Sequence, residues 1–138
     1  LTCGASPALV LALNMCFAPG DSVAMARPGY VAYRKTVRAL HMVPLELSCG
    51  AAERYQITAA ALAALDPAPK GLILARPANP TGTIIPREEV RAIAKVCSER
   101  GITVISDESV YSLPFSASTV SPSLARRAKI APESLARS

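Results

Sequence analysis

Two polar side chains follow apolar runs that have the composition of buried strands. Asn79 lies just after the run 71–75, and Asp107 lies just after the run 102–105. In open α/β sheets, ligands bind beyond the carboxyl ends of the strands, so both side chains are candidates for function. Asn79 can donate to a phenolic or phosphate oxygen, and a carboxylate at Asp107 needs a partner such as a cationic ring nitrogen. The pair therefore indicates a cofactor site, although an Asn-Pro turn and a helix cap or salt bridge at Asp107 are structural alternatives.

A third candidate is the small-residue segment around Gly4, Ala5 and Ser6, which leads into a predicted helix. Ser6 is predicted to cap this helix, and Pro7 suits its first turn. The unpaired amides and positive dipole end of such a terminus can hold a phosphate. Taken alone the segment indicates only a helix start, because neither the Walker spacing nor G-x-G-x-x-G is present.

Strands and amphipathic helices alternate along the chain, which predicts an α/β fold with a parallel sheet and helical crossovers on its faces. Thr58 is predicted to cap one helix, Pro86 to begin another and Gly101 to end it. The predicted strands are 22–26, 42–47, 71–75 and 102–105.

Composition limits the function classes. The 138 residues suffice for one domain, and the 51% hydrophobic content is that of a folded chain. The net charge of +5 is spread without a long basic run, so we do not expect a nucleic-acid partner. The four cysteines form no close pair, which argues against a metal site and predicts a reduced, cytoplasmic chain. The apolar stretch 5–18 is too short for a membrane span, and no membrane partner is expected.

Taken together, these segments resemble the class I/II aminotransferases, which are fold-type I pyridoxal-phosphate enzymes. The resemblance covers about residues 1–115 and implies an incomplete large domain, a three-layer sandwich with a mainly parallel sheet. Residues 116–138 are expected to be an irregular tail that is truncated or divergent. The matching segments stand in family order: Thr2-Cys3-Gly4-Ala5-Ser6, Arg27-Pro28-Gly29-Tyr30, Ala78-Asn79-Pro80-Thr81-Gly82-Thr83 and Ser106-Asp107-Glu108.

The resemblance implies that pyridoxal 5'-phosphate (PLP) is the cofactor. Its phosphate would lie at the N-terminal loop and its 3-oxygen at the Asn-Pro turn, where a cis peptide would precede Pro80. Its ring nitrogen would pair with the strand-end carboxylate, and its ring would stack on an aromatic side chain. The residues implied in these contacts are Ala5, Ser6, Tyr30, Asn79, Asp107 and Tyr111.

The sequence leaves the roles of two of these residues, Tyr30 and Tyr111, open. Tyr30 also fits the apolar stripe of its helix, so a core position is the alternative. Tyr111, the implied second donor to the 3-oxygen, follows Asp107 by four residues where the family has three. A local bulge and a sequence error are both open as reasons for this shift.

The family's Schiff-base lysine, its substrate-carboxylate arginine and its N-terminal helices have no counterpart in this sequence. Lys129 is the only lysine after Asp107, and its surroundings do not match the family's lysine loop, so we do not assign that role to it. We therefore expect a fragment that binds PLP but is inactive alone, poorly stable in isolation, from a homodimeric enzyme acting on an amino acid and a 2-oxo acid. A PLP-dependent lyase or synthase and a catalytically inactive truncated relative are the alternatives, and a nucleotide-binding domain is a more distant one.

Overall fold

A computed structural model describes residues 2–108 of the chain. Four helices and four strands alternate through this region, in the manner that the apolar patterns predict. In chain order they are α1 (Ala5–Cys16), β1 (Ser22–Arg27), α2 (Val31–Ala39), β2 (Val43–Ser48), α3 (Ala59–Ala63), β3 (Gly71–Ala75), α4 (Arg87–Arg100) and β4 (Thr103–Asp107).

The four strands form one parallel sheet in the order β2-β1-β3-β4. The chain moves outward from β1 to β2 and then crosses back to β3, so the order reverses between β1 and β3. Such a reversal opens a crevice at the carboxyl edge, where ligands collect in this class of sheet. The pairing of β1 with β3 is short, with Val23 opposite Gly71 and Ala24 opposite Leu72. Beyond these pairs the two strands leave room for side chains.

The helices cover both faces of the sheet, which makes the region a three-layer α/β sandwich, as predicted. Alternate side chains of β3 point to opposite faces, in keeping with the period of two in a strand. Ile73 packs in a cluster with Leu13 of α1 and Val37 of α2. Leu72 packs in a second cluster with residues of α3 and α4 on the other face. The sheet therefore separates two apolar cores.

Close packing under β3 explains one glycine of the sequence. Gly71 begins β3, and a Cβ atom built there would overlap the ring of Phe17, which follows α1. Phe17 is itself buried, so its ring has little freedom to move away. Gly71 thus allows α1 to pack directly on the start of β3.

Helix ends agree with the sequence at two positions and differ at one. The Thr58 hydroxyl accepts a hydrogen bond from the Ala61 amide at 3.1 Å, and Gly101 ends α4 in the left-handed conformation with φ of 66°. The prediction that Ser6 caps α1 is wrong. The N-cap is Gly4, with φ of 123°, and Ser6 is the second residue of the helix. A glycine tolerates that backbone angle, so the helix begins before the serine.

Helix α4 holds the short helix α3 at both of its ends. The Glu89 carboxylate accepts a hydrogen bond from the Ala59 amide at 2.6 Å. Arg100 donates to the carbonyls of Leu62, Ala63 and Leu65 at 2.6 to 3.0 Å. Both sets of contacts satisfy backbone groups that a helix end leaves unpaired. Within residues 2–108, no helix is both long and apolar enough to cross a bilayer.

Candidate functional site

A cavity of about 220 Å³ lies at the carboxyl edge of the sheet. Its walls come from the start of α1, the start of α2, the turn after β3 and the end of β4. Five of the six residues that the resemblance implies in cofactor contacts line it: Ala5, Ser6, Tyr30, Asn79 and Asp107. Residues from distant parts of the chain therefore meet in one small space.

The start of α1 brings unpaired backbone amides to the cavity. Ala5 and Ser6 are the first two residues of this 12-residue helix, and its N-cap residue, Gly4, has no side chain that could accept a hydrogen bond from its first amides. The first amides of a helix have no partner within it and carry the positive end of the helix dipole. This wall of the cavity is therefore suited to an anionic group such as a phosphate.

Tyr30 immediately precedes α2 and is not a core residue. Its side chain is 40% exposed, so the alternative interpretation of Tyr30 as part of the apolar stripe is wrong. The ring packs edge-to-face against Tyr33, with centroids 5.4 Å apart and an interplanar angle of 88°. This packing restrains the Tyr30 ring at the cavity wall, where a flat ligand can contact it.

Asn79 is presented by a closed turn between Ala78 and Thr83. The Ala78 amide donates to the Thr83 carbonyl at 2.9 Å, and the Gly82 amide donates to the Ala78 carbonyl at 2.7 Å. The Asn79–Pro80 peptide bond is cis, as the resemblance predicts. Among residues 2–108 the Asn79 side-chain amide makes no hydrogen bond, so its donors and acceptor are available to a ligand.

Asp107 is the last residue of β4, and a buried tyrosine holds its carboxylate. The Tyr33 hydroxyl donates a hydrogen bond to Asp107 Oδ2 at 2.5 Å. Tyr33 is only 5% exposed, and burial, followed by the hydrogen bond and the negative charge of Asp107, raises the pKa of its phenol above the ordinary value. The phenol therefore remains a proton donor to the carboxylate at neutral pH.

Tyr33 was not predicted as a site residue from the sequence. One signal was present, since a buried tyrosine ordinarily finds a partner for its hydroxyl. Nothing in the sequence identified Asp107 as that partner, because the two residues lie in different elements. Tyr111 and Lys129 lie outside the described residues.

A larger, open cleft of about 650 Å³ lies beside this cavity, along the ends of β1 and β2. Its charged groups pair with one another, since Arg34 donates to Glu46 at 3.2 Å and Arg27 lies 3.9 Å from the same carboxylate. The smaller cavity is the better candidate despite its size. It combines helix amides, a carboxylate and an available side-chain amide around one space.

The fold and this cavity define an α/β domain with a candidate ligand site at the switch point of a parallel sheet. The sequence model of the class I and II aminotransferases matches residues 1–133. The chain therefore belongs to this family, whose members depend on PLP.

Individual relatives agree with the family match. The chain is 46% identical over 115 residues to a valine–pyruvate aminotransferase of Mycobacterium tuberculosis, covering 83% of this chain and 30% of that protein. The crystal structure of an aminotransferase from Mycobacterium tuberculosis superposes with a TM-score of 0.75 at 48% identity, over 76% of this chain and 27% of that one.

A solved aspartate aminotransferase from Thermus thermophilus gives a TM-score of 0.72 at 30% identity, over 78% of this chain and 28% of that one. The chain thus spans less than a third of the length of these relatives.

Proposed function

We propose that this chain carries part of a PLP site and that the full-length protein transfers an amino group between an amino acid and a 2-oxo acid. One observation carries the proposal. The residues that the family resemblance assigns to the phosphate, ring and 3-oxygen contacts line a single cavity, together with the strand-end carboxylate. The donor set fits PLP, because an anion site, two side chains with polar groups and an aromatic ring lie around one space.

Each side chain has a role that its surroundings support. The amides at Ala5 and Ser6 would hold the phosphate at the dipole end of α1. Tyr30 would contact one face of the pyridine ring. The side-chain amide of Asn79 would donate to the 3-oxygen.

Asp107 would bind the protonated ring nitrogen through a charge-assisted hydrogen bond. Its Oδ2 accepts the hydrogen bond from Tyr33, which orients the carboxylate from the core side. When bound, the pyridinium ring of PLP supplies an electron sink for the α-carbon of an amino acid. By keeping the ring nitrogen protonated, Asp107 would maintain that property.

The names of the relatives support the reaction class and suggest substrates to test. The valine–pyruvate aminotransferase is the first candidate for comparison, and the Thermus thermophilus protein is an aspartate aminotransferase. We propose an amino acid with pyruvate or another 2-oxo acid as the substrate pair. The same proposal includes a homodimer in the full-length protein, a cytoplasmic location and an irregular tail at 116–138.

The experiment is PLP titration of the chain, measured by equilibrium dialysis. We expect saturable binding that weakens about tenfold or more in Asp107→Asn, because loss of a hydrogen bond to a charged group costs about 1.5–3 kcal/mol. Asp66→Asn, at an exposed position away from the cavity, is the matched control and should bind as the wild type does. Equal affinities in Asp107→Asn and the wild type would contradict the assignment of Asp107.

A second measurement tests whether a lysine of this chain binds PLP covalently. Because we assign no Schiff-base lysine to this chain, borohydride treatment with equimolar PLP should leave no stoichiometric adduct at any single lysine, as measured by mass spectrometry. An adduct at Lys129 would overturn that expectation. Amino-group transfer by the full-length protein, assayed with valine and pyruvate and with aspartate and 2-oxoglutarate, tests the reaction class itself.

A further inference from the structure

Gln56 is the one polar or charged residue that is buried among residues 2–108, with 5% of its surface exposed. It belongs to the connection between β2 and α3, a region whose neighbouring residues 50–55 are exposed. Burial of an amide costs free energy unless it is hydrogen-bonded, so a buried glutamine in an exposed loop calls for an explanation.

The Gln56 amide is used to hold the turn that carries Asn79. Its Nε2 donates to the Thr83 carbonyl at 2.8 Å and lies 3.3 Å from the Thr83 hydroxyl. The same carbonyl accepts the Ala78 amide that closes the turn. The Thr83 carbonyl thus accepts two hydrogen bonds, one that closes the Asn79 turn and one from Gln56, which links the turn to the connection between β2 and α3.

Gln56 lines a different cavity from the candidate cofactor site, and Asn79 lines both. Asn79 lines the 220 Å³ cavity, and it also lines a narrow crevice between β1 and β3 that Gln56 borders. Gln56 does not line the cavity itself. An effect of Gln56 on a bound cofactor is therefore indirect, and its hydrogen bonds to Thr83 make the Asn79 turn the route.

We propose that Gln56 is a positioning residue, which sets where the Asn79 amide meets the 3-oxygen of PLP by fixing the Thr83 end of the turn. This inference rests on the proposed function. The physical reason is that a turn without the Gln56 hydrogen bond must be ordered when the cofactor binds, and that ordering costs conformational entropy. A turn that Gln56 already holds in place avoids this cost.

The test compares two ligands in the full-length gene product: PLP, and 3-deoxypyridoxal phosphate, which lacks the 3-oxygen. Gln56→Met keeps the length of the side chain and removes the amide. We expect it to weaken PLP binding about tenfold, the effect of losing one well-placed hydrogen bond, and to leave the affinity for the 3-deoxy ligand unchanged. Asn79→Ala should show the same selective loss, and the double variant should bind PLP no more weakly than Asn79→Ala.

A second variant keeps the inference testable if Gln56→Met does not fold. In Gln56→Glu the side chain can donate to the Thr83 carbonyl only when it is protonated. The ratio of variant to wild-type affinity for PLP should therefore approach one as the pH falls, and decrease as the pH rises. Asn14→Ala, at an exposed position on α1, is the control and should bind both ligands like the wild type.

The outcomes separate the two proposals. Equal losses for PLP and the 3-deoxy ligand in Gln56→Met would show a merely structural role and overturn the inference, as would an unchanged affinity for PLP. A wild-type protein that binds neither ligand would overturn the proposed function instead.

Discussion

The phenol of Tyr33 donates a hydrogen bond to Asp107 from a buried position, so its ionisation is linked to folding. The raised pKa means that the folded state binds this proton more tightly than the unfolded state does. The resulting contribution to stability is fully present below the ordinary tyrosine pKa of 10.0 and is lost as the pH rises above it.

Tyr33→Phe should therefore reduce the loss of unfolding free energy that occurs as the pH rises into the alkaline range. We expect the free energy of unfolding of the wild-type chain to fall as the pH rises from about 9 to 11, and that of the variant to fall less. Urea denaturation followed by circular dichroism at each pH measures this.

Tyr55→Phe is the matched control, since Tyr55 is an exposed tyrosine away from the cavity. It should retain the wild-type alkaline decrease. Parallel profiles for Tyr33→Phe and the wild type would show that the buried phenol is not linked to folding.

Individual residues differ in how far the sequence revealed them. Asn79 and Asp107 could be selected because polar groups at strand ends stand out from their apolar neighbours. Tyr33 and Gln56 could not, since their partners, Asp107 and Thr83, lie in other elements, and side-chain pairing across such separations has no local signal. Those two contacts required the three-dimensional fold.

Among the elements, α3 depends on its cap more than a longer helix would. It has five residues, and its Thr58 hydroxyl satisfies one of the first amides. Thr58→Ala should lower the free energy of unfolding by about 1 kcal/mol. Thr58→Ser keeps the hydroxyl and should cost less, so urea denaturation of the two variants isolates the cap. Equal losses in both would point to the methyl group instead.

The contact between α1 and β3 predicts a second stability effect. Gly71→Ala places a methyl group against the Phe17 ring and should destabilise the chain by about 1–3 kcal/mol, as overpacked cores generally are. Phe17→Leu supplies space, so adding it to Gly71→Ala should cost less than the sum of the two single changes. Strict additivity in urea denaturation would contradict the packing explanation.

The ends of helices and strands could be predicted where a single residue type favours ending the element there. The run 71–75 corresponds to β3, and Gly101 ends α4 in the conformation that glycine favours. Ser6 misled the prediction because both serine and glycine occur at helix N-caps. The choice between Gly4 and Ser6 depends on where the preceding chain enters, which short-range sequence patterns do not record.

At the scale of the whole molecule, the alternation of strands and helices was enough to predict a parallel sheet with helices on its faces, and the family resemblance added the three-layer sandwich. The strand order was not predicted, because it depends on the crossover that takes the chain from β2 past β1 to β3. That crossover creates the crevice where the candidate site lies. The location of the site could be expected only as the carboxyl edge of the sheet.

The surface of α1 predicts how the isolated chain behaves. Leu11 is 53% exposed and Met15 is 73% exposed, one helical turn apart. Exposed apolar side chains that adjoin one another promote association. We expect the wild-type chain to self-associate as its concentration rises, and Leu11→Glu with Met15→Glu to reduce this, as measured by light scattering after size exclusion.

The control for this variant places the same charges elsewhere. Ala94→Glu with Ser98→Glu adds two carboxylates at exposed positions with the same spacing on α4. This control should associate as the wild type does. Equal suppression by both double variants would indicate a general effect of charge rather than an effect of the α1 surface.

The hydrogen bonds between α4 and the two ends of α3 have a consequence for the order in which the domain opens. A five-residue helix is too short to persist without partners, and here the side chains of Glu89 and Arg100 bind backbone groups at its beginning and end. Loosening α4 would remove both supports at once. The amides of α3 and α4 should thus exchange with deuterium as a single cooperative unit, with α3 never more protected than the longer helix that secures it.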